Sequence, residues 1–208
     1  MTGLEGAWAK FEADDFDAAA LEFRAVLHEA TSDDERRGAQ YGLGYALAFS
    51  NAFDEARGLF ETLHADAVTR GDDGAAHRAL HQVGMVQRMA GDWHAARDTF
   101  AREAELIHAL GDDPLAVSVN AYEQGWIALH LDDMDRAKHW LERALETALR
   151  STDEVAVACA QRGLGDWYGK NGQLDKALEA YTSSRAAFLR ADDARGADEI
   201  EARIQTLR

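Results

Sequence analysis

The chain has 208 residues, with 38 Asp and Glu against 22 Lys and Arg, a formal net charge of −16, one proline and one cysteine. A surface this acidic repels nucleic acid and anionic lipid, and the single Cys159 excludes an intramolecular disulfide and fits a reducing cytoplasm. No segment approaches the roughly 18 continuous apolar residues of a membrane span, and Met1 to Asp15 holds no apolar stretch of signal-peptide length, so a cytoplasmic location is expected.

Aspartates recur every 40 residues, at Asp33, Asp73, Asp113, Asp153 and Asp193, which marks an internal repeat. The expected units run over about 1–31, 32–71, 72–111, 112–151 and 152–191, within one domain spanning 1–208. In the first unit Ala7 belongs to an opening helix, Asp14 to a turn, and Phe16, Ala19 and Phe23 to a second helix. The second unit repeats this with Gly44, Asn51, then Phe53, Ala56 and Phe60. The third has Gly84, Gly91, then Trp93, Ala96 and Phe100. The fourth has Gly125, Asp132, then Met134, Ala137 and Leu141. The fifth has Gly165, Gly172, then Leu174, Ala177 and Tyr181. Offsets of three, four and seven put the second-helix residues on one face. The small residue on the first helix lets the backbones approach, and the aromatic of the facing helix fills the space.

The turn residues are types that tolerate the left-handed conformation ending a helix. The recurrent aspartates fall where the next pair begins and suit a helix N-terminus, as does Pro114 directly after Asp113. No unit has Glu or Gln three residues after its aspartate, so no capping box is expected. The interval from aspartate to glycine changes from 11 to 12 residues after the third unit. Residues 193–208 start like a sixth unit and stop, with Ile200, Ile204 and Leu207 at helical spacing and Glu201, Arg203 and Arg208 between or beyond them. That reads as a capping helix; left unseated, the same stripe becomes a dimer contact, so the expected state is a monomer or weak homodimer. The expected class is all-α, an α-solenoid of helix-turn-helix repeats: five antiparallel pairs plus the capping helix, in a right-handed superhelix.

Chemistry is sparsely signalled. His77 and His81 stand four apart on a helix, but no third ligand is signalled and the intervening residues do not make the HExxH pattern, so no metal is expected. Cys159 sits among Ala156, Val157, Ala158 and Ala160, a packing environment and not a nucleophile's. The doublets Asp72–Asp73, Asp112–Asp113 and Asp192–Asp193 recur at helix starts, which favours capping over metal binding. No phosphate loop, GxSxG or dinucleotide motif is present, and Gly42-Leu43-Gly44 lies inside a helix. The expectation is a protein without catalytic residues or cofactors.

The pattern resembles the tetratricopeptide repeat, whose signature is W-x-x-L-G-x-x-Y, then A-x-x-x-F, then P. Unit two reads Gln40, Leu43, Gly44, Leu47, Ala56, Phe60, and unit five reads Gln161, Leu164, Gly165, Tyr168, Ala177, Tyr181. Unit three gives Leu80, Val83, Gly84, Gln87, and unit four gives Ala121, Gln124, Gly125, Ala128. The period of 40 is longer than the family's roughly 34, and the closing proline is missing throughout. This longer form, with Gly-Asp-Asp junctions at 71–73 and 111–113, looks like the sensor domains of bacterial signal-dependent transcription activators and the scaffold of bacterial peptide-pheromone receptors.

The resemblance implies that the first helices line a concave groove. Carried over by position, eight and twelve residues before the Phe16-type ladder, the groove residues are Leu4 and Trp8, Tyr41 and Tyr45, His81 and Met85, Tyr122 and Trp126, Arg162 and Asp166, with Arg78 and Arg88 one turn either way. Tyr, Trp and Arg dominate binding hot spots, and the arginines would suit acidic groups on a partner. Ordinary core packing of the aromatics is the competing reading. The lysine–asparagine clamp of chaperone-tail-binding members is absent at these positions. The expected function is a non-enzymatic scaffold binding a protein or peptide segment; the alternative is a free-standing sensor for a small molecule or short signalling peptide, acting on a separate effector.

Overall fold

A computed structural model describes residues 3–207; Met1, Thr2 and Arg208, which the expected domain and cap included, lie outside the described residues. Among the described residues there are eleven helices and no strand: α1 (Gly3–Glu12), α2 (Phe16–Glu29), α3 (Asp33–Phe49), α4 (Phe53–Arg70), α5 (Asp73–Met89), α6 (Trp93–Ala109), α7 (Pro114–His130), α8 (Met134–Ser151), α9 (Glu154–Lys170), α10 (Leu174–Arg190) and α11 (Ala194–Thr206).

The helix ends follow from local chemistry. Asp14, Asn51, Gly91, Asp132 and Gly172 all adopt positive φ, between 54° and 81°. The next amide then reaches back five residues, as in Ala52 to the Leu47 carbonyl (2.8 Å) and Asp133 to the Ala128 carbonyl (2.9 Å). This is the Schellman closure, which satisfies carbonyls that a helix end leaves bare. Asp113, Asp153 and Asp193 each accept from the amide three residues on, at 3.0, 2.8 and 2.8 Å. At α3 and α5 the cap lies one residue before the recurrent aspartate, on Ser32 and Asp72. Counted from the true cap, the distance to Gly44, Gly84, Gly125 and Gly165 is constant (44 − 32, 84 − 72, 125 − 113 and 165 − 153 all equal 12), so the apparent change of interval disappears. The earlier cap at α3 makes only half of a capping box, because the returning bond goes to the residue before the cap. Glu35 stands three residues after Ser32; its amide donates to Ser32 Oγ and its carboxylate accepts from the Thr31 amide, both at 3.2 Å.

The chain divides into two compact units, 1–99 and 100–208, and the division falls within α6. In the first unit, Ala7, Ala19, Phe23, Ala39, Ala46, Ala56 and Phe60 are fully buried. The Phe60 ring occupies the space above Gly44, where an added Cβ would lie 2.3 Å from its Cζ. Phe23 covers Gly42 of the following pair at the same distance. In the second unit, Leu141 fills both the space over Gly125 of its own pair (2.7 Å) and that over Gly163 of the next (2.4 Å). Tyr181 lies against Gly165 at 2.5 Å. One side chain thus closes a helix pair and joins it to the next one. Buried hydroxyls add satisfied polar links between helices: Ser118 donates to the Ala144 carbonyl (2.9 Å) and Ser184 to the Ala158 carbonyl (2.7 Å).

The last helix is seated. Ala197, Ile200 and Ile204 of α11 are buried with Phe188 and Tyr181 of α10. Arg185–Glu201 (3.1 Å), Arg203–Asp166 (2.6 Å) and Arg162–Glu199 (3.4 Å) tie α11 to α10 and α9.

The glycine contacts predict opposite signs for one substitution. Gly165→Ala would drive a methyl into the Tyr181 ring and should lower stability in urea unfolding by about 1–3 kcal/mol. Gly58→Ala, exposed in α4 with nothing within 4 Å, should raise it by roughly 0.5–1 kcal/mol.

Candidate partner-binding face

In the first unit the residues carried over from the repeat pattern share a run of aromatic contacts. Trp8 on α1 is half-buried, edge-on to Phe11 (5.6 Å) and Phe23 (5.1 Å), and 6.3 Å from Tyr45 on α3. Tyr45 meets Tyr41 at 6.2 Å, and both rings approach Phe60 within 6 Å. The Trp8, Tyr41 and Tyr45 rings are all half-buried, in contact with the core and in part open to solvent. Burial raises the Tyr41 phenol's pKa, and the Arg78 guanidinium hydrogen-bonded to it acts in the opposite direction. His81, Met85 and Arg88 are half-buried on α5, and Leu4 is half-buried on α1.

In the second unit Tyr122 and Trp126 stand one turn apart on α7 and have different environments. Tyr122 is only 8% exposed. Its hydroxyl accepts a 2.6 Å hydrogen bond from Arg162, whose guanidinium also lies 5.5 Å from the ring centre. Burial pushes the phenol's pKa upward against the opposing effect of Arg162. Arg162 continues to Glu199 on α11, so this part of the α9 face is covered. The Cys159 thiol beside it is also raised by burial, which disfavours the reactive thiolate. Trp126 is half-buried and tilted onto His130 at 3.7 Å.

Trp126 borders a recess of about 440 Å³ shared by Leu129, His130, Asp166, Gly169, Lys170, Tyr181 and Arg203. Its polar walls are held in place. Asp166 accepts from the Tyr181 hydroxyl (2.7 Å) and from Arg203 (2.6 Å). Lys170 donates to the Leu129 carbonyl (2.7 Å) and to Asp132 (2.8 Å), and holds the Asp132 carboxyl below its ordinary pKa. The result is an aromatic surface beside two cations, able to stack on one group and hydrogen-bond another.

Positions eight and twelve before the ladder did not capture His130 and Lys170, which lie four before Met134 and Leu174. One further helical turn along the same face would have found them. Arg203 belongs to α11 and carried no repeat signal. His77 and His81 gather no ligand set: among the described residues no group of three or more His, Cys, Asp or Glu could hold a metal ion. Among these residues no helix is long and apolar enough to cross a membrane.

The tetratricopeptide-repeat family model matches residues 118–190. No curated protein matches the chain. Several solved structures are similar. A signal-transduction ATPase with numerous domains and a tetratricopeptide repeat sensor, from Pyrococcus horikoshii, superposes with a TM-score of 0.74 at 17% identity, over 99% of this chain and 32% of that one. A thermophilic TPR protein from Thermus thermophilus gives 0.64 at 18% identity, over 99% and 96%. A Rap protein complexed with competence and sporulation factor gives 0.59 at 14% identity, over 99% and 59%. Identities this low show the fold alone, and the chain spans about a third of the ATPase's length.

The buried phenol gives an alkaline signature. A folded-state pKa above the unfolded value means that Tyr122 contributes stability below the unfolded pKa of about 10, and that this contribution is lost as pH rises beyond it. Wild type should therefore lose more stability between about pH 8 and about pH 11 than Tyr122→Phe does, read as the shift in urea midpoint.

Proposed function

We propose that this chain, whose residues 118–190 match the tetratricopeptide-repeat family model, binds a protein or peptide segment on the face carrying Trp126, Lys170 and Arg203. Repeats of this type are in general protein–protein interaction modules and typically non-enzymatic. The observation that supports the location is the recess beside Trp126. A half-buried indole with two cations at its edge combines the residue types that anchor interfaces. Lys170 is paired with Asp132 and Arg203 with Asp166 and Glu199, so a carboxylate or other acidic group on the partner segment would bind there by sharing or displacing those acids. Tyr122 and Arg162 serve this face from beneath, by fixing α7, α9 and α11 to one another. The carried-over residues of the first unit, Trp8, Tyr41, Tyr45, Arg78, His81, Met85 and Arg88, form a separate candidate surface that this proposal does not assign to the contact.

A second reading is a receptor for a short signalling peptide that acts on a separate effector. It is supported by the likeness to a tetratricopeptide repeat sensor and to a Rap protein complexed with competence and sporulation factor. Small-angle scattering separates the two, because a receptor that switches changes its dimensions on binding and a passive scaffold does not.

The chain, immobilised, should retain its partner from a lysate of the source organism. Trp126→Ala/Lys170→Ala should weaken that retention at least about tenfold with helicity unchanged by circular dichroism. Equal retention by the variant would contradict this location.

A further inference from the structure

The first unit holds a cluster of four arginines that the proposed function does not use. Arg36, Arg37, Gln40 and Tyr41 share one face of α3, Arg70 projects from the end of α4, and Arg78 from α5. With Asp33, Asp66 and Asp72 they line a pocket of about 340 Å³. Four guanidiniums repel one another, so their partners decide whether the pocket is neutral. Arg37 is paired with Asp34 at 2.5 Å. Arg36 donates to the Ala30 carbonyl at 3.1 Å, and Arg78 hydrogen-bonds the Tyr41 hydroxyl; both partners are neutral, so both charges remain. Arg70 makes no hydrogen bond or ion pair to any described residue, although Asp66 is one turn away and also lines the pocket.

Three carboxylates, Asp33, Asp66 and Asp72, line the same pocket and keep their charge, but among the described residues none is at ion-pair distance from Arg36, Arg70 or Arg78. Asp72 accepts the Ala75 amide at 2.9 Å as the N-cap of α5. Asp33 is the first residue of α3, where the positive helix end favours its charged form. Arg36, Arg70 and Arg78 are thus left without a carboxylate at ion-pair distance, and their N–H groups are open to a ligand. Planar guanidinium forks match carboxylate and phosphate oxygens in pairs, and the phenol can supply one further donor.

We infer that this pocket is an oxyanion site, in which Arg36, Arg70, Arg78 and the Tyr41 hydroxyl clasp a carboxylate or phosphate group. The site lies wholly within the first unit. Its test needs no protein partner, so it stands or falls independently of the Trp126 face.

The test is titration of the full chain at low ionic strength with inorganic phosphate and, separately, with succinate, read from arginine side-chain Nε–Hε signals by NMR. Saturable shifts confined to Arg36, Arg37, Arg70 and Arg78 are expected with at least one of the two. Arg70→Gln/Arg78→Gln should weaken binding about tenfold, while Arg143→Gln/Arg150→Gln on α8 should bind as wild type. Should the first variant lose helicity, Arg36→Gln/Arg70→Gln takes its place. Binding of phosphate alone assigns a phosphorylated group, and binding of succinate alone an acidic one. Binding of both leaves a general oxyanion site. No saturable shift in wild type, or equal weakening by both pairs of substitutions, would overturn the proposal.

Discussion

The structure depends on one contact: a large side chain from a second helix lying where a first helix has no Cβ. Phe60 over Gly44, Tyr181 over Gly165 and Leu141 over Gly125 are the same event in different chemistry. Each fully buried ring or branched chain contributes roughly 1.5–3 kcal/mol. That more than offsets the roughly 1 kcal/mol that glycine costs in a helix interior. The second contact of Leu141, with Gly163, carries the packing from one pair to the next. Stability in such a chain comes from neighbour to neighbour, and the α11 end is closed by apolar residues of one helix capped with charge.

The turns translate that packing into a surface. Left-handed residues and Schellman closures end each first helix at the same point. The N-caps start the helices a constant twelve residues before the packing glycine. Equal start, equal stop and equal contact leave the same stripe of each first helix outside the core. Trp126, Asp166 and Lys170 belong to that stripe, and α11 adds Arg203 to it from elsewhere in the chain.

Most of the fold was legible because its determinants repeat. An offset of three or seven residues means little once and a great deal five times. The turn residues were readable for the same reason. The caps of α3 and α5 are not decided by the pattern, because Asp72–Asp73 offers two candidates and Ser32 precedes Asp33; amide geometry decides between them. Gly42 and Gly163 were passed over although each stands two residues before a ladder glycine. Their partners, Phe23 and Leu141, belong to the preceding pair, and periodicity within one unit does not show them. At the site the pattern placed Tyr122 and Trp126 on one face but could not rank their exposure. Tyr122 is covered by Arg162, which Glu199 on α11 holds in turn, and that arrangement exists only after α11 docks. The same docking brings Arg203 to the recess.

A scaffold of this kind needs a surface that is rigid, accessible and different from the rest of the molecule. The recess beside Trp126 is proposed for that role because its walls are fixed by hydrogen bonds, it has room of about 440 Å³, and it sets an indole beside ion-paired Lys170 and Arg203. The most direct measurement is site-specific photo-crosslinking in the source organism. Benzoylphenylalanine would replace Trp126 in one sample and Leu149, which is 61% exposed on α8, in the other. A covalent adduct to a discrete protein or peptide at position 126, absent at position 149, is the predicted result. Adducts of equal yield at both positions, or at 149 alone, would contradict the assignment of the binding face.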